Sequence, residues 1–108
     1  QIFRVTSSLS EKGHHRTYVV EGQVFFASAD SFTAAFDFKE AIEKVTIDVR
    51  GAHIWDISSV DALDMVVLKF RREGAEVELV GLNDASETIV DKLAIHDKPG
   101  AFERLLGH

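Results

Sequence analysis

Asp56, Ser58 and Ser59 are the residues of this chain whose types and spacing could do chemistry. They lie in the stretch 52–61, Ala-His-Ile-Trp-Asp-Ile-Ser-Ser-Val-Asp. A carboxylate close to a hydroxyl suggests a base and a nucleophile. A serine nucleophile, however, needs a histidine base oriented by a third group. His53 is the nearby candidate and falls on the loop end before the motif, so no catalysis is expected here. The same group can instead cap a helix, carry a phosphoserine or meet an anion. The first N–H groups of a helix lack partners, and the helix dipole favours negative charge there.

The flanking elements must place this group. Upstream, Val45, Ile47 and Val49 alternate with Thr46 and Asp48, the period of a strand. Downstream, Val60, Leu63, Val67 and Phe70 fall on one helical stripe, with Met65, Val66 and Leu68 widening it. That breadth predicts a deeply buried helix over about 59–73, and Gly74 suits its left-handed end. The motif therefore sits where a strand hands over to a helix. Either Ser58 or Ser59 is expected to cap that helix, with Asp61 as the box partner of Ser58, a contribution of ~1 kcal/mol. Asp56 is expected to close the turn by accepting backbone N–H bonds. A cap hydroxyl at an exposed helix start is also a feasible phosphorylation site. Phosphate would add about −1.5 to −2 charges beside the positive helix end, against the opposing charges of Asp56 and Asp61.

Elsewhere, residues 2–6, 15–21 and 24–26 read as strands, with a turn at 10–13 and a break at Gly22. Asp30 is placed as the N-cap of a helix carrying Phe32, Ala35, Phe36, Phe38 and Ile42, with Lys39, Glu40, Glu43 and Lys44 on its wet face. Residues 76–80 alternate as another strand. Asp84 and Glu87 form a capping-box variant before Ile89, Val90, Leu93, Ala94 and Ile95. Pro99 opens a last short helix with Phe102, Leu105 and Leu106. Strands joined through helices predict an α/β fold: one mixed β-sheet flanked by helices, parallel where crossovers join strands, with an antiparallel early pair.

Composition narrows the function classes. The 108 residues suffice for one domain, and 45% hydrophobic content argues against disorder. A net charge of −6 with scattered cations disfavours nucleic acid. The one dense basic group, Lys69, Arg71 and Arg72, lies late in a helix, where cations complement the dipole. There is no Cys, hence no thiolate chemistry. Of the five His residues, His14, His15, His53, His96 and His108, none pairs at the i, i+4 spacing of a helical zinc site, so no metal is expected. No glycine-rich nucleotide fingerprint or nucleophile elbow is present, and no cofactor is expected. No apolar run approaches the ~20 residues of a membrane-spanning helix. The chain starts Gln1-Ile2-Phe3-Arg4 without an initiator Met, and is expected to be one domain, residues 1–108, of something longer.

The segment 56–59, the helix after it ending at Gly74, and residues 75–80 resemble the signature of STAS domains. Residues 20–28, 51–56 and 69–74 are similar to segments of the C-terminal STAS domain of bacterial SulP permeases, and the likeness runs from about Tyr18 to Pro99. The resemblance implies a mixed sheet flanked by helices. It also implies a regulatory, protein-interaction role at the cytoplasmic face of the cell inner membrane, attached to a transporter of sulfate, bicarbonate or similar anions. The implied partners are the parent's transmembrane domain and a cytosolic regulatory protein. Freestanding relatives, the anti-sigma-factor antagonists, carry Asp-Ser-Ser-Gly here, and an anti-sigma kinase phosphorylates the second Ser. Carried over, that position is Ser58. This chain departs by having Ile57 for the first Ser and Ser59 for the Gly, which favours the permease branch.

Three hypotheses follow: an interaction module of an anion permease, a freestanding switch phosphorylated at Ser58, and a module binding a nucleotide or anion at the helix mouth. The first is preferred, and no enzyme activity is expected. Its expected contact surface is the helix mouth, with Trp55, Asp56, Ser58, Ser59 and Asp61. Whether Ile54 and Trp55 are core or contact residues stays open, as it does for Val24, Phe25 and Phe26.

Overall fold

The computed structural model describes residues 3–25, 27, 29–87 and 89. Alternating apolar residues build four strands. They are β1 (Phe3–Leu9), β2 (His15–Val24), β3 (Lys44–Ile54) and β4 (Glu76–Val80), arranged β1-β2-β3-β4. The hairpin pair β1–β2 is antiparallel, and β2–β3 and β3–β4 are parallel. Among the described residues the helices are α1 (Ala29–Ala34), α2 (Ile57–Arg72) and α3 (Leu82–Ala85).

Strand pleat sends Tyr18 and Val20 of β2, and Val45, Ile47 and Val49 of β3, into one core. The helices lay Phe32, Val60, Leu63, Val66 and Phe70 onto that face, and Phe36 joins them from the segment after α1. Aromatic rings join the layers: Tyr18 to Phe36 at 4.7 Å and Phe38 to Phe70 at 4.6 Å between centroids. On the opposite face of the sheet, the His15 ring bonds Thr46 Oγ1 at 2.8 Å, and Thr46 Oγ1 donates to Glu78 at 3.3 Å.

One irregularity in β3 decides how the chain reaches the motif. Val19 opposes Asp48, but Glu21 opposes Gly51, so β3 carries an extra residue. Such a bulge shifts the strand's parity. Before it, odd-numbered residues are buried, and after it Ala52 and Ile54 are. The bulge is clasped by Arg50, whose backbone N–H donates to Asp48 Oδ1 at 3.0 Å and whose guanidinium reaches Oδ2 at 2.8 Å. These bonds hold the Asp48 carboxyl below the usual carboxylate range.

Several expectations are corrected. The first helix stops at Ala34, and Asp30 lies in its first turn. Residues 35–43 leave the helix because they find other partners. The Asp37 N–H donates to the buried Tyr18 hydroxyl at 3.1 Å, and the Asp37 carboxylate accepts the Lys39 N–H at 3.0 Å. Gly22 does not break β2: with φ +100 it stays in the ladder, opposite Phe3 and Ala52. Met65 and Leu68 are 44% and 43% exposed, so the buried stripe of α2 is narrower than the sequence suggested. α3 starts from Gly81, leaving Asp84 inside its first turn rather than at its cap. The helical turns expected beyond Ile89, the Pro99 helix, and Phe26 lie outside the described residues.

Candidate functional site

The site forms where β3 ends. Ala52 and Ile54 are each 2% exposed, and the Trp55 N–H donates to the Val24 carbonyl at 3.1 Å, the last rung beside β2. The chain then turns at Asp56, whose backbone is extended (φ −149, ψ 163), as an N-cap requires. Asp56 Oδ1 accepts the Ser59 backbone N–H and the Ser59 hydroxyl, each at 2.8 Å. The Ser59 oxygen also lies 3.4 Å from the Val24 carbonyl. Asp56 thus satisfies one orphan donor of the first turn and a buried hydroxyl together.

This arrangement reassigns the sequence roles. Asp56 is the cap; Ser58 and Ser59 are not. The helix starts at Ile57, two residues earlier than expected, which puts Ser59 at the third helical position and buries it to 1%. Asp61 has no box role: it is exposed, as is Ser58. Trp55 is half-buried, stacked on Phe25 at 5.7 Å and 12°, and its indole N–H donates to Gln23 Oε1. Ile54 is core. Trp55 and Phe25 instead form a held, half-exposed ledge beside the turn.

Two layers result. Asp56, Ser59 and Ile54 form a hydrogen-bonded, packed frame, while Ile57, Ser58 and Asp61 project outward from it. A residue group missed by sequence reasoning extends this outer layer. Ile57, Met65 and Leu68 are 45%, 44% and 43% exposed. With Asp61 they follow i, i+4, i+8 and i+11, one stripe on the face opposite Leu63 and Val66. The spacing is readable in the sequence, but the expected helix starts after Ile57, and Met65 and Leu68 are expected on its buried face.

His53 and Ser58 are not brought together. His53 is exposed, on the strand face opposite Ala52 and Ile54, and makes no hydrogen bond to Ser58. Among the described residues, no group of three or more His, Cys, Asp or Glu could hold a metal. His14 meets Glu43 at 3.5 Å and His15 meets Thr46, while His96 and His108 lie outside the described residues. Among the described residues, no helix is long and apolar enough to cross a membrane.

Comparison with known proteins agrees with this architecture. Residues 7–105 match the family model of the STAS domain. The chain is 51% identical over 79 residues to the "Putative sulfate transporter YbaR" of Bacillus subtilis (strain 168), covering 73% of this chain and 16% of that protein. The chain therefore spans about one sixth of the length of that curated relative. A crystal structure of an antisigma-factor antagonist, STAS domain, from Rhodobacter sphaeroides superposes with a TM-score of 0.80. It is 68% identical, over 81% of this chain and 95% of that one. The chain belongs to the STAS domain family, and its mixed sheet with flanking helices is the fold of that structure.

Proposed function

We propose that this STAS domain is the regulatory and protein-interaction domain of a SulP-family anion transporter, carried at the cytoplasmic face of the inner membrane. The transported class would be sulfate, bicarbonate or a similar anion. Its partners would be the parent's transmembrane domain and a cytosolic regulatory protein. The observation that carries this reading is the outward stripe of α2, with Ile57, Ser58, Asp61, Met65 and Leu68 presented from a buried frame. Three large apolar side chains on one exposed helix face, beside a polar mouth, suit protein contact. The similarity to the Bacillus subtilis protein supports a transporter setting, since the chain matches a domain-sized share of it.

The test is made in the complete gene product. An Ile57→Asp, Leu68→Asp double variant should leave the isolated domain folded, because both side chains face outward, yet change anion uptake or its regulation in cells. Unaltered uptake and regulation, with normal protein levels, would contradict the reading.

A second reading is favoured by the 68% identical Rhodobacter sphaeroides structure, described as an antisigma-factor antagonist. In it the domain is a freestanding switch, and Ser58 is its phosphorylation site. Ser58 is exposed on the first turn of α2, where a phosphate would meet the positive helix end. Incubation with the genomically neighbouring kinase and mass mapping of Ser58 tests it. A polytopic apolar region in the same reading frame would favour the first reading.

A further inference from the structure

The opposite end of α2 carries a feature that the helix-mouth reading does not use. A groove of about 330 Å³ opens there, lined by Phe38, Lys39, Lys69, Arg72 and Glu73. Lys69 and Arg72 come from the last turns of α2, where they complement the helix carbonyls. Lys39 comes from the segment between α1 and β3, so the dipole does not account for it. That segment is brought in by Phe38, whose ring packs on Phe70 at 4.6 Å and lies under the Lys69 ammonium at 5.3 Å. None of the three cations has a carboxylate within ion-pair distance among the described residues. Of the other described cations, Arg4, Arg16, Lys44 and Arg50 have one, and Lys12 and Arg71 do not. In a chain of net charge −6, unpaired cations from two segments converging on one concavity are not the expected average surface.

We infer that this groove binds a tetrahedral dianion: sulfate, inorganic phosphate, or the phosphoryl end of a larger molecule. The charges fit one doubly charged oxyanion, with Lys39 on one wall and Lys69 and Arg72 on the other. Glu73 also lines the groove, an opposing charge that favours a compact anion over an extended acidic chain. The Lys69 ammonium already covers the Phe38 face, so the groove offers charge and not a stacking platform, which disfavours a nucleobase. At 1.5 Å per residue, the groove lies roughly 20 Å from the helix mouth. Anion occupancy and partner contact would therefore use opposite ends of one helix.

The test titrates the 108-residue chain with sodium sulfate and, separately, sodium phosphate, holding ionic strength constant with sodium chloride. Amide chemical shifts are followed by two-dimensional NMR. Saturable shifts confined to 38–40 and 69–74 are expected. Neutralising Lys39→Gln or Arg72→Gln should weaken binding roughly two- to fivefold each, as for exposed ion pairs. Glu73→Gln should strengthen it. Arg71→Gln, which shares the helix end but does not line the groove, should leave it unchanged and so separates a site from a dipole effect. Vesicles of phosphatidylcholine with phosphatidylglycerol form a further arm: line broadening by vesicles without any response to the free anions assigns the patch to a lipid surface and overturns the inference. Shifts no larger than those in chloride, or an equal loss in Arg71→Gln, also overturn it.

Discussion

Replacing Asp56 with alanine removes the bond to the Ser59 N–H and the bond from the Ser59 hydroxyl in one step. Loss of an N-cap acceptor typically costs about 1 kcal/mol. The Ser59 hydroxyl is 1% exposed, and a buried hydroxyl without a partner costs about 1–3 kcal/mol. The Val24 carbonyl, 3.4 Å away, can receive that hydroxyl after a small rotation, which favours the lower end. The expected destabilisation is therefore about 2 kcal/mol, a fall in melting temperature of roughly 8–16 °C for a domain near this size. Asp56→Asn keeps an acceptor at the cap and should cost under about 1 kcal/mol. Ser58→Ala, on an exposed side chain, should stay within about 0.5 kcal/mol of the parent. Urea unfolding followed by far-ultraviolet circular dichroism measures all three, and avoids the Trp55 signal beside the substitution. If Asp56→Ala matches the parent, or Ser58→Ala costs as much as Asp56→Ala, the division into frame and outer layer is wrong.

Leu63 is 1% exposed and Leu68 is 43% exposed, so Leu63→Ala should cost about 2–5 kcal/mol and Leu68→Ala under about 0.5 kcal/mol in the same urea experiment. Gly81→Ala should destabilise more than Gly74→Ala. Both glycines have left-handed φ, worth about 1–2 kcal/mol for a side chain, but a Cβ at Gly81 would also lie 3.0 Å from the Arg50 backbone, whereas Gly74 faces open space. The Asp48 carboxyl, held low by the Arg50 bonds, contributes stability that is present above its unfolded value of about 3.9. That contribution is lost as pH falls through the lower folded value. Below about pH 4, Asp48→Asn should therefore lose stability less steeply than the parent, and parallel acid-unfolding curves would contradict the clasp.

The layered α/β plan was legible because alternating apolar residues in 45–49 and 76–80, and helical spacing in 60–70, each point to one element. Strand β3 was read too short because the bulge at Val49 and Arg50 changes parity, and alternation alone cannot follow a register shift set by a neighbouring strand. The first helix was read too long because Phe36 and Phe38 suit a helix face equally well. What removes them from it is a tertiary bond to the Tyr18 hydroxyl, invisible to local pattern. At the motif, Asp56 accepts a backbone N–H as the sequence suggested, but the cap expected of Ser58 or Ser59 is Asp56 as well. Asp, Ser and a following Ser can each cap a helix, and the choice depends on where the chain leaves β3, which the Trp55 to Val24 bond decides. The outward stripe of Ile57, Met65 and Leu68 was readable as spacing, but exposure follows from which face meets the sheet.

The most direct test places a photo-crosslinking amino acid at Ile57 in the complete gene product, in native membranes, with a second version at exposed Lys12 in the β1–β2 turn as control. The account predicts an adduct from Ile57 that maps by mass spectrometry to the transmembrane domain or to one defined cytosolic protein, with little from Lys12. No adduct from Ile57, or equal unspecific yield from both positions, would contradict the claim that the mouth of α2 is a contact surface.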